Sequence, residues 1–255
     1  MVDYSVQERI AIITLNRPEK RNALSHALIA ALKEAFDKAE KDEQVKAIIL
    51  RANGEAFCAG ADLAYLQQLQ NFSYDENLSD SNHLKELFVK IYQNPKVVIA
   101  QVQGHALAGG CGLATVCDWA FAVPDAKFGY TEVKIGFIPA LVSVFVLRKI
   151  GEGAARELLL GGELISAERA LAIGLINRVV PAENLEKEVW NFTTRLIATN
   201  SAASMALTKK LLADTAGKSV EDALNLAASL NAHARNTEDC KRGISAFLNK
   251  EKIIW

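Results

Sequence analysis

Neither sign of charge is in surplus in this sequence of 255 residues. Its 29 Lys and Arg residues are balanced by 30 Asp and Glu residues, and the formal net charge is −1. Proteins that bind nucleic acid through its phosphates usually carry a clear basic surplus. The charge balance therefore argues against a nucleic-acid partner.

Long hydrophobic runs are also missing. No stretch approaches the roughly 18 apolar residues that a membrane-spanning helix needs. The first residues, MVDYSVQERIAI, have neither the basic start nor the apolar centre of a signal peptide. Because half of the residues are hydrophobic and 23% are charged, we expect a globular, cytoplasmic protein with a large core and no membrane partner.

Cysteine and histidine are scarce and scattered. The four cysteines (Cys58, Cys111, Cys117 and Cys240) contain no C-x-x-C pair, and the four histidines occur singly. This spacing predicts reduced thiols and no metal site. Cys58 and Cys111 could be nucleophiles, but neither has a histidine partner visible in the sequence, so small buried thiols are the simpler interpretation.

The hydrophobic pattern alternates between strand and helix spacing. It predicts strands at 9–15, 45–50, 97–102 and 119–123, and helices at 26–41, 84–92, 113–117 and through most of the chain from 140 onward. The polar stretch 71–82 is typical of a mobile loop. Strands separated by helices favour a mostly parallel sheet. We predict an α/β core over 1–195 and a helical region over 196–255 that belongs to the same functional unit.

Two loops of small residues each follow a predicted strand and open a helix: Ala-Gly-Ala-Asp at 59–62 and Ala-Gly-Gly at 108–110. Backbone N–H groups at a helix start are unpaired, and small residues let a ligand approach them. Two such loops could each direct one N–H at a single oxygen and form an oxyanion hole. Either loop alone could equally be a tight turn.

Five motifs follow one another along the chain. They read NRP with NAL at 16–24, FCAGADL at 57–63, AGGCGLA at 108–114, CD at 117–118, and FGYTEV with GFIP at 128–139. With these motifs the chain resembles the crotonase (enoyl-CoA hydratase/isomerase) family over essentially its whole length. The resemblance implies a spiral of ββα units with a helical C-terminal trimerisation region. It also implies an acyl-CoA substrate, no metal or cofactor beyond coenzyme A in that substrate, and a homotrimer or dimer of trimers.

The resemblance also implies the catalytic residues. The N–H groups of Ala61 and Gly109 would hold the thioester oxygen, and Glu132 would be the general acid/base. Donors aimed at an enolate oxygen stabilise the transition state more than the ground state. We expect burial among apolar neighbours to raise the pKa of Glu132. Those neighbours are Phe128, Val133, Ile135, Phe137 and Ile138.

Further residues match family positions that contact the acyl-CoA. They are Lys20, Arg21, Ala23, Ala59, Gly60, Asp62, Leu63, Gly110, Gly112, Thr131, Pro139, Phe247 and Lys250. Lys20 and Arg21 would lie near the adenine and pantetheine. Lys250 would reach the 3′-phosphate held by a neighbouring subunit.

Gly112 departs from the family's typical hydratases, which carry a second glutamate there. A single carboxylate is what the family's double-bond isomerases use, so a Δ3,Δ2-enoyl-CoA isomerase is the alternative to a hydratase-type lyase. The segments GGCGLA and TEVKIGFIPA also resemble bacterial methylglutaconyl-CoA hydratases, and we therefore favour the lyase. Asp62 and Asp118 are the next carboxylates, and we expect both to be structural. A non-catalytic acyl-CoA-binding protein is the third interpretation, against which Glu132 speaks. The acyl group stays open.

Overall fold

The computed structural model describes the backbone of residues 1–255 and all side chains except that of Leu63. Over these residues the chain forms ten strands and ten α-helices. The strands are β1 (Val2–Gln7), β2 (Ile10–Leu15), β3 (Ala47–Ala52), β4 (Ala56–Cys58), β5 (Val97–Val102), β6 (His105–Leu107), β7 (Trp119–Ala122), β8 (Lys127–Gly129), β9 (Ile165–Ser166) and β10 (Arg178–Val179). The helices are α1 (His26–Lys41), α2 (Leu63–Leu69), α3 (Tyr74–Tyr92), α4 (Gly109–Val116), α5 (Ala140–Gly161), α6 (Ala167–Ala172), α7 (Leu185–Thr199), α8 (Ala202–Thr215), α9 (Val220–Arg235) and α10 (Glu238–Leu248).

Six strands form the main sheet in the order β1-β2-β3-β5-β7-β10. Only β1 and β2 pair in antiparallel fashion, and the other neighbours are parallel. The strands β2, β3 and β5 are rich in Ile, Val and Ala and are buried almost throughout. Such continuous apolar strands need cover on both faces of a sheet. Helix α1 packs beside β1 and β2, and α7 packs against β5 and β7.

A second, smaller sheet joins β4, β6, β8 and β9 in that order. The strands β4, β6 and β8 are parallel to one another. Along the chain, a main-sheet strand is followed three times by a strand of the small sheet and then by an α-helix: β3-β4-α2, β5-β6-α4 and β7-β8-α5. This repetition confirms the predicted α/β fold built from ββα units. It also places three strand-to-helix loops at one edge of the small sheet.

The C-terminal part is helical, as predicted. Helix α8 packs against β5 and α9, and α10 packs on α8 and α9. The predicted boundary between 195 and 196 falls inside α7, and it stays a prediction. Within the described residues, no helix has both the length and the hydropathy needed to cross a membrane.

The stretch 71–82 is where the sequence prediction was wrong. It forms the first turns of α3, which begins after Ser73 in a capping box with Glu76. A capping box satisfies the N–H groups at a helix start, so it can begin a helix that has no apolar stripe there. The side chains of this part are mostly exposed, which explains its polar sequence.

Candidate active site

Three loops meet at the carboxyl ends of β4, β6 and β8. Cys58 pairs with Ala106, and Leu107 pairs with Gly129, so these strand ends are neighbours. Ala61, Gly109 and Glu132 each lie within three residues after one of these ends. The fold therefore brings the three predicted catalytic residues to one edge of the small sheet.

The first loop is held by backbone hydrogen bonds to the segment 21–24. Ala59 N–H donates to Arg21 O at 3.0 Å, Leu24 N–H to Gly60 O at 2.7 Å, and Asp62 N–H to Leu24 O at 2.9 Å. Among the residues that the structure describes, none accepts a hydrogen bond from the N–H of Ala61, and Ala61 is exposed. This N–H is available to a ligand.

The second loop begins helix α4 at Gly109. The N–H groups of a first helical turn have no intrahelical acceptor, and within the described chain none is supplied to Gly109 from elsewhere. Ala108 precedes the helix at φ 49° and ψ −125°, a conformation that strains any residue with a Cβ.

The two loops touch each other. Gly60 has φ +91°, and a Cβ placed on it would lie 3.0 Å from the Cβ of Ala108. A Cβ on Gly110 would collide with the carbonyl oxygen of Cys58. The glycines at 60 and 110 are therefore needed for close packing between the loops and the sheet.

Glu132 begins a short 3-10 helix, Glu132–Ile135, after β8. Its Oε2 is buried, and no described group donates a hydrogen bond to it. Burial raises the pKa of Glu132 above its usual value, as predicted. Its charge in turn contributes to raising the pKa of Cys111 and Tyr130, next to the start of α4. Glu132 is thus a desolvated carboxyl beside the second loop.

The apolar neighbours of Glu132 do not all bury it. Phe128 is fully buried, but Ile135, Phe137 and Ile138 are exposed in the single chain. The prediction that these three residues help to bury the carboxyl was wrong. Ile135 faces outward at the end of the 3-10 helix, and Gly136 ends that helix in a left-handed conformation before the exposed Phe137 and Ile138.

The site has no second carboxylate at position 112. A Cβ placed on Gly112 would lie 2.5 Å from Cγ1 of Val142 and 3.0 Å from Cζ of Phe88. The space beside Gly112 is therefore filled by apolar side chains from α5 and α3.

The two remaining candidate carboxylates have structural roles, as expected. Asp62 caps α2 through hydrogen bonds from Ala64 and Tyr65, and its Oδ2 lies 2.7 Å from Nη1 of Arg17. Burial would raise the pKa of Asp62, but the hydrogen bonds from Arg17 and the helix start outweigh it and lower that pKa. Asp118 accepts from Val98 N–H and from Lys209 Nζ, each at 2.7 Å.

Asn22 is a buried residue whose role the sequence did not reveal. Its side-chain amide donates to Asn53 O at 2.8 Å and Ala56 O at 2.9 Å, and its Oδ1 accepts from Arg17 N–H at 2.9 Å. Asn22 has φ 53°, a left-handed conformation that Asn adopts more readily than most residues. The sequence signal that could have indicated this role is an asparagine in the loop that follows the NRP motif. These bonds fix the loop that carries Lys20, Arg21 and Ala23 beside the first glycine loop.

The other predicted acyl-CoA contacts fall into two groups. Thr131 directly precedes Glu132 and so lies beside the site, and Pro139 directly precedes α5. Phe247 is 83% exposed on α10, which packs on α8 and α9, and Lys250 is exposed after the same helix. The side chain of Leu63 lies outside the described residues.

The buried cysteines are unsuited to nucleophilic attack. Burial raises the pKa of Cys58 to about 12 and that of Cys111 to about 11, so both thiols are protonated near neutral pH. Within the described residues, no group of His, Cys, Asp and Glu side chains is arranged to hold a metal ion.

Known proteins share this arrangement over the whole chain. The family model described as enoyl-CoA hydratase/isomerase matches residues 5–255. The chain is 44% identical over 241 residues to a Thermus thermophilus protein provisionally named enoyl-CoA hydratase, with 94% of this chain and 95% of that protein covered. It is 34% identical to the crotonyl-CoA hydratase of Syntrophomonas wolfei, with 96% and 94% covered. The crystal structure of an enoyl-CoA hydratase from Mycobacterium smegmatis matches with a TM-score of 0.93 at 34% identity, covering 100% of this chain and 98% of that one.

The range matched by the family model, residues 5–255, contains the three strand ends, both glycine loops and Glu132 of this chain. These matches support the family but not the more specific resemblance to methylglutaconyl-CoA hydratases, which stays a prediction. Sequence and structure agree at the level of the family: this chain belongs to the enoyl-CoA hydratase/isomerase family.

Proposed function

We propose that this protein is a hydratase-type lyase that adds water across the α,β double bond of a 2-enoyl-CoA thioester. The observation that carries the proposal is the carboxyl of Glu132, which has a buried oxygen without a hydrogen-bond donor beside two loops with unpaired N–H groups. A desolvated carboxyl with a raised pKa is suited to exchanging protons near neutral pH. Relatives named as hydratases support the same reaction.

In this proposal the N–H groups of Ala61 and Gly109 donate to the thioester oxygen. Negative charge develops on that oxygen when a nucleophile adds at the β carbon. Fixed donors stabilise this charge without having to reorient during the reaction. Strand pairing and helix α4 hold the two loops, so neither N–H depends on a flexible side chain.

Glu132 then acts as the single acid/base. As the water oxygen forms its bond to the β carbon, a water proton passes to the carboxylate, and the electrons of the double bond move to the thioester oxygen. When the carbonyl re-forms, the α carbon takes a proton back from Glu132. The net change is the addition of one water, and the carboxylate is restored.

A double-bond isomerase is the second candidate, and the surroundings of Gly112 favour it. Val142 and Phe88 occupy the place beside Gly112, and no carboxylate stands there to help hold a water. The same Glu132 could take a proton from the α carbon of a 3-enoyl-CoA and return it to the γ carbon. A purely binding role would not call for a buried carboxyl without a partner, which lowers stability.

The remaining contacts are part of the same proposal. Lys20 and Arg21 are exposed beside the first loop and would meet the nucleotide of coenzyme A, with no other cofactor needed. We also propose a cytoplasmic location, as the sequence predicts. Methylglutaconyl-CoA is retained as one candidate substrate.

A homotrimer or dimer of trimers would explain the apolar surface. Ile135, Phe137 and Ile138 near the site are exposed, as are Phe247 and Leu248 on the last helix. Exposed apolar groups of this kind often mark protein interfaces. In such an assembly Phe247 and Lys250 could reach the site of a neighbouring subunit.

The experiment is to incubate the purified protein with crotonyl-CoA, a 3-enoyl-CoA and methylglutaconyl-CoA, following absorbance of the conjugated thioester and product mass. A hydratase lowers the absorbance of a 2-enoyl-CoA and adds one water to its mass. An isomerase raises the absorbance of the 3-enoyl-CoA at constant mass. Binding without turnover of any thioester would contradict both enzymatic readings.

A further inference from the structure

A cavity of about 680 Å³ lies between α3, α4, α5 and α8. Its lining includes Tyr92, Thr115, Val116, Phe145 and Met205, and it does not include Ala61, Gly109 or Glu132. The cavity borders the carboxyl end of α4, whereas the unpaired N–H of Gly109 is at the amino end. It is therefore a space separate from the catalytic loops.

The distance between cavity and site is about one helical turn. Three residues meet beside the site, each on a different helix: Phe88 on α3, Gly112 on α4 and Val142 on α5. Three or four residues further along the same helices are residues that line the cavity: Tyr92, Thr115 and Phe145. Three to four residues advance a helix by roughly 5 Å. All three helices thus run from the site wall to the cavity wall.

An acyl chain held at Gly109 would extend in this direction. Gly109 and Gly112 are three residues apart on α4 and lie on the same face of the helix. A thioester oxygen bound at Gly109 therefore places the first carbons of its acyl group near Gly112. This step rests on the proposed function.

Phe145 packs against Phe88, which contacts Gly112 at the site, and against Tyr92, which lines the cavity. Its ring packs edge-on against Phe88 with centroids 6.2 Å apart, and against Tyr92 at 5.1 Å. Phe88 contacts the site wall, whereas Tyr92 and Phe145 line the cavity. We propose that Phe145 holds Phe88 in place as a partition between the acyl site and this cavity, and so limits the length of acyl chain that the enzyme accepts.

The cavity suits hydrocarbon better than a charged group. Its lining includes the apolar surfaces of Tyr92, Val116, Phe145 and Met205. Three of its four charged side chains are already bonded within the protein: Lys149 Nζ donates to Thr115 O at 2.8 Å and Cys117 O at 2.9 Å, and Lys209 Nζ lies 2.7 Å from Asp118 Oδ2. The fourth, Arg148, is exposed to solvent. Displacing the partition would therefore admit the distal methylenes of a longer acyl chain.

The test is the variant Phe145→Ala, assayed for kcat/KM with four-carbon and ten-carbon 2-enoyl-CoA thioesters. Each additional methylene that enters an apolar pocket is worth about tenfold or more in kcat/KM. We expect the ratio of ten-carbon to four-carbon activity to rise at least tenfold over the parent. The Kd ratio of the saturated decanoyl and butyryl thioesters should shift in the same direction, independently of turnover.

Phe192→Ala is the matched control. Phe192 is also half-buried and packs against two aromatic rings, Trp119 and Phe121, but it lines neither site nor cavity. In Phe192→Ala, the ratio of ten-carbon to four-carbon kcat/KM and the Kd ratio of the two saturated thioesters should equal those of the parent. If Phe145→Ala fails to fold, Phe145→Leu should show a smaller rise of the same sign.

The outcomes separate the two proposals. A parent that turns over no 2-enoyl-CoA thioester contradicts the proposed function. If the parent turns over 2-enoyl-CoA and the folded Phe145 variants keep the parent's chain-length ratio in both assays, the partition proposal is contradicted while the proposed function stands. An equal rise in Phe192→Ala would also overturn it, because general loosening would then explain the effect.

Discussion

The hydroxyl of Tyr130 lies 2.7 Å from Oγ1 of Thr115, and both side chains are buried. Tyr130 stands two residues before Glu132, and Thr115 is on α4, whose first residue is Gly109. Thr115 Oγ1 also donates to Cys111 O at 2.9 Å within the helix. The hydrogen bond between Tyr130 and Thr115 joins the segment that carries the proposed acid/base to the helix that carries a proposed oxyanion donor.

Tyr130→Phe should therefore lower both stability and kcat. Loss of one buried hydrogen bond costs about 1 kcal/mol, and a small displacement of Glu132 slows proton transfer. Denaturant unfolding and turnover of a 2-enoyl-CoA measure the two effects. Tyr4→Phe is the control, because the buried Tyr4 hydroxyl has no described partner and its loss should cost no stability. Equal behaviour of the two variants would contradict the proposed link.

Ala108→Gly should stabilise the protein. Ala108 adopts φ 49° and ψ −125°, a conformation that costs a residue with a Cβ about 1–3 kcal/mol, whereas glycine loses up to about 1 kcal/mol more backbone entropy. The net gain of about 1 kcal/mol corresponds to a rise in Tm of roughly 2–4 °C for a domain of this size. A lower Tm in thermal unfolding would show that the backbone at 108 is not strained.

Gly109→Pro should remove one donor from the proposed oxyanion hole. Proline is well tolerated at the first position of a helix, and it has no N–H. We expect kcat to fall by about 10²–10³. Gly109→Ala is the matched control because it keeps the N–H, and its Cβ would meet only Cδ1 of Leu24, at 3.0 Å. If both variants melt like the parent and lose activity equally, the proposed role of the Gly109 N–H as an oxyanion donor is contradicted.

The sequence predicts the long elements well and the short ones poorly. The strands β2, β3, β5 and β7 follow apolar runs, and α1 follows its apolar stripe and the Ser25 cap. The three-residue strands β4, β6 and β8 are too short to show a period, so the small sheet was missed. That sheet is what brings Ala61, Gly109 and Glu132 together.

The candidate site was predictable from its motifs, but its surroundings were not. The loops at 59–62 and 108–110 and Glu132 lie where the family resemblance implied a shared site. The contacts of Val142 and Phe88 with Gly112 come from two helices distant in sequence, and no local pattern indicates them. The exposure of Phe137 and Ile138, which follow the left-handed Gly136, is likewise not indicated by their hydropathy.

Glu132→Gln should raise the free energy of unfolding at neutral pH. Burial raises the pKa of Glu132 in the folded chain, so the folded state binds this proton more tightly than the unfolded state. Stability of the parent therefore falls as pH rises from the unfolded pKa through the folded one, and Gln has no such titration. The advantage of the variant should be larger at about pH 8 than at about pH 4. Urea unfolding at both pH values measures this difference in stability. The control Glu43→Gln, at an exposed position, should show no comparable change. A stability advantage of Glu132→Gln that shrinks as pH rises would contradict burial of Glu132.

Turnover by Glu132→Gln tests the central claim most directly. Gln keeps the shape of the side chain but cannot exchange a proton, and loss of an acid/base typically costs about 10²–10⁴ in rate. The measurement is kcat for crotonyl-CoA in the parent, Glu132→Gln and Glu43→Gln, with the Kd of butyryl-CoA for each. The account predicts that only Glu132→Gln loses turnover, by at least about 10², while all three bind butyryl-CoA alike. Near-parental turnover by Glu132→Gln would contradict it.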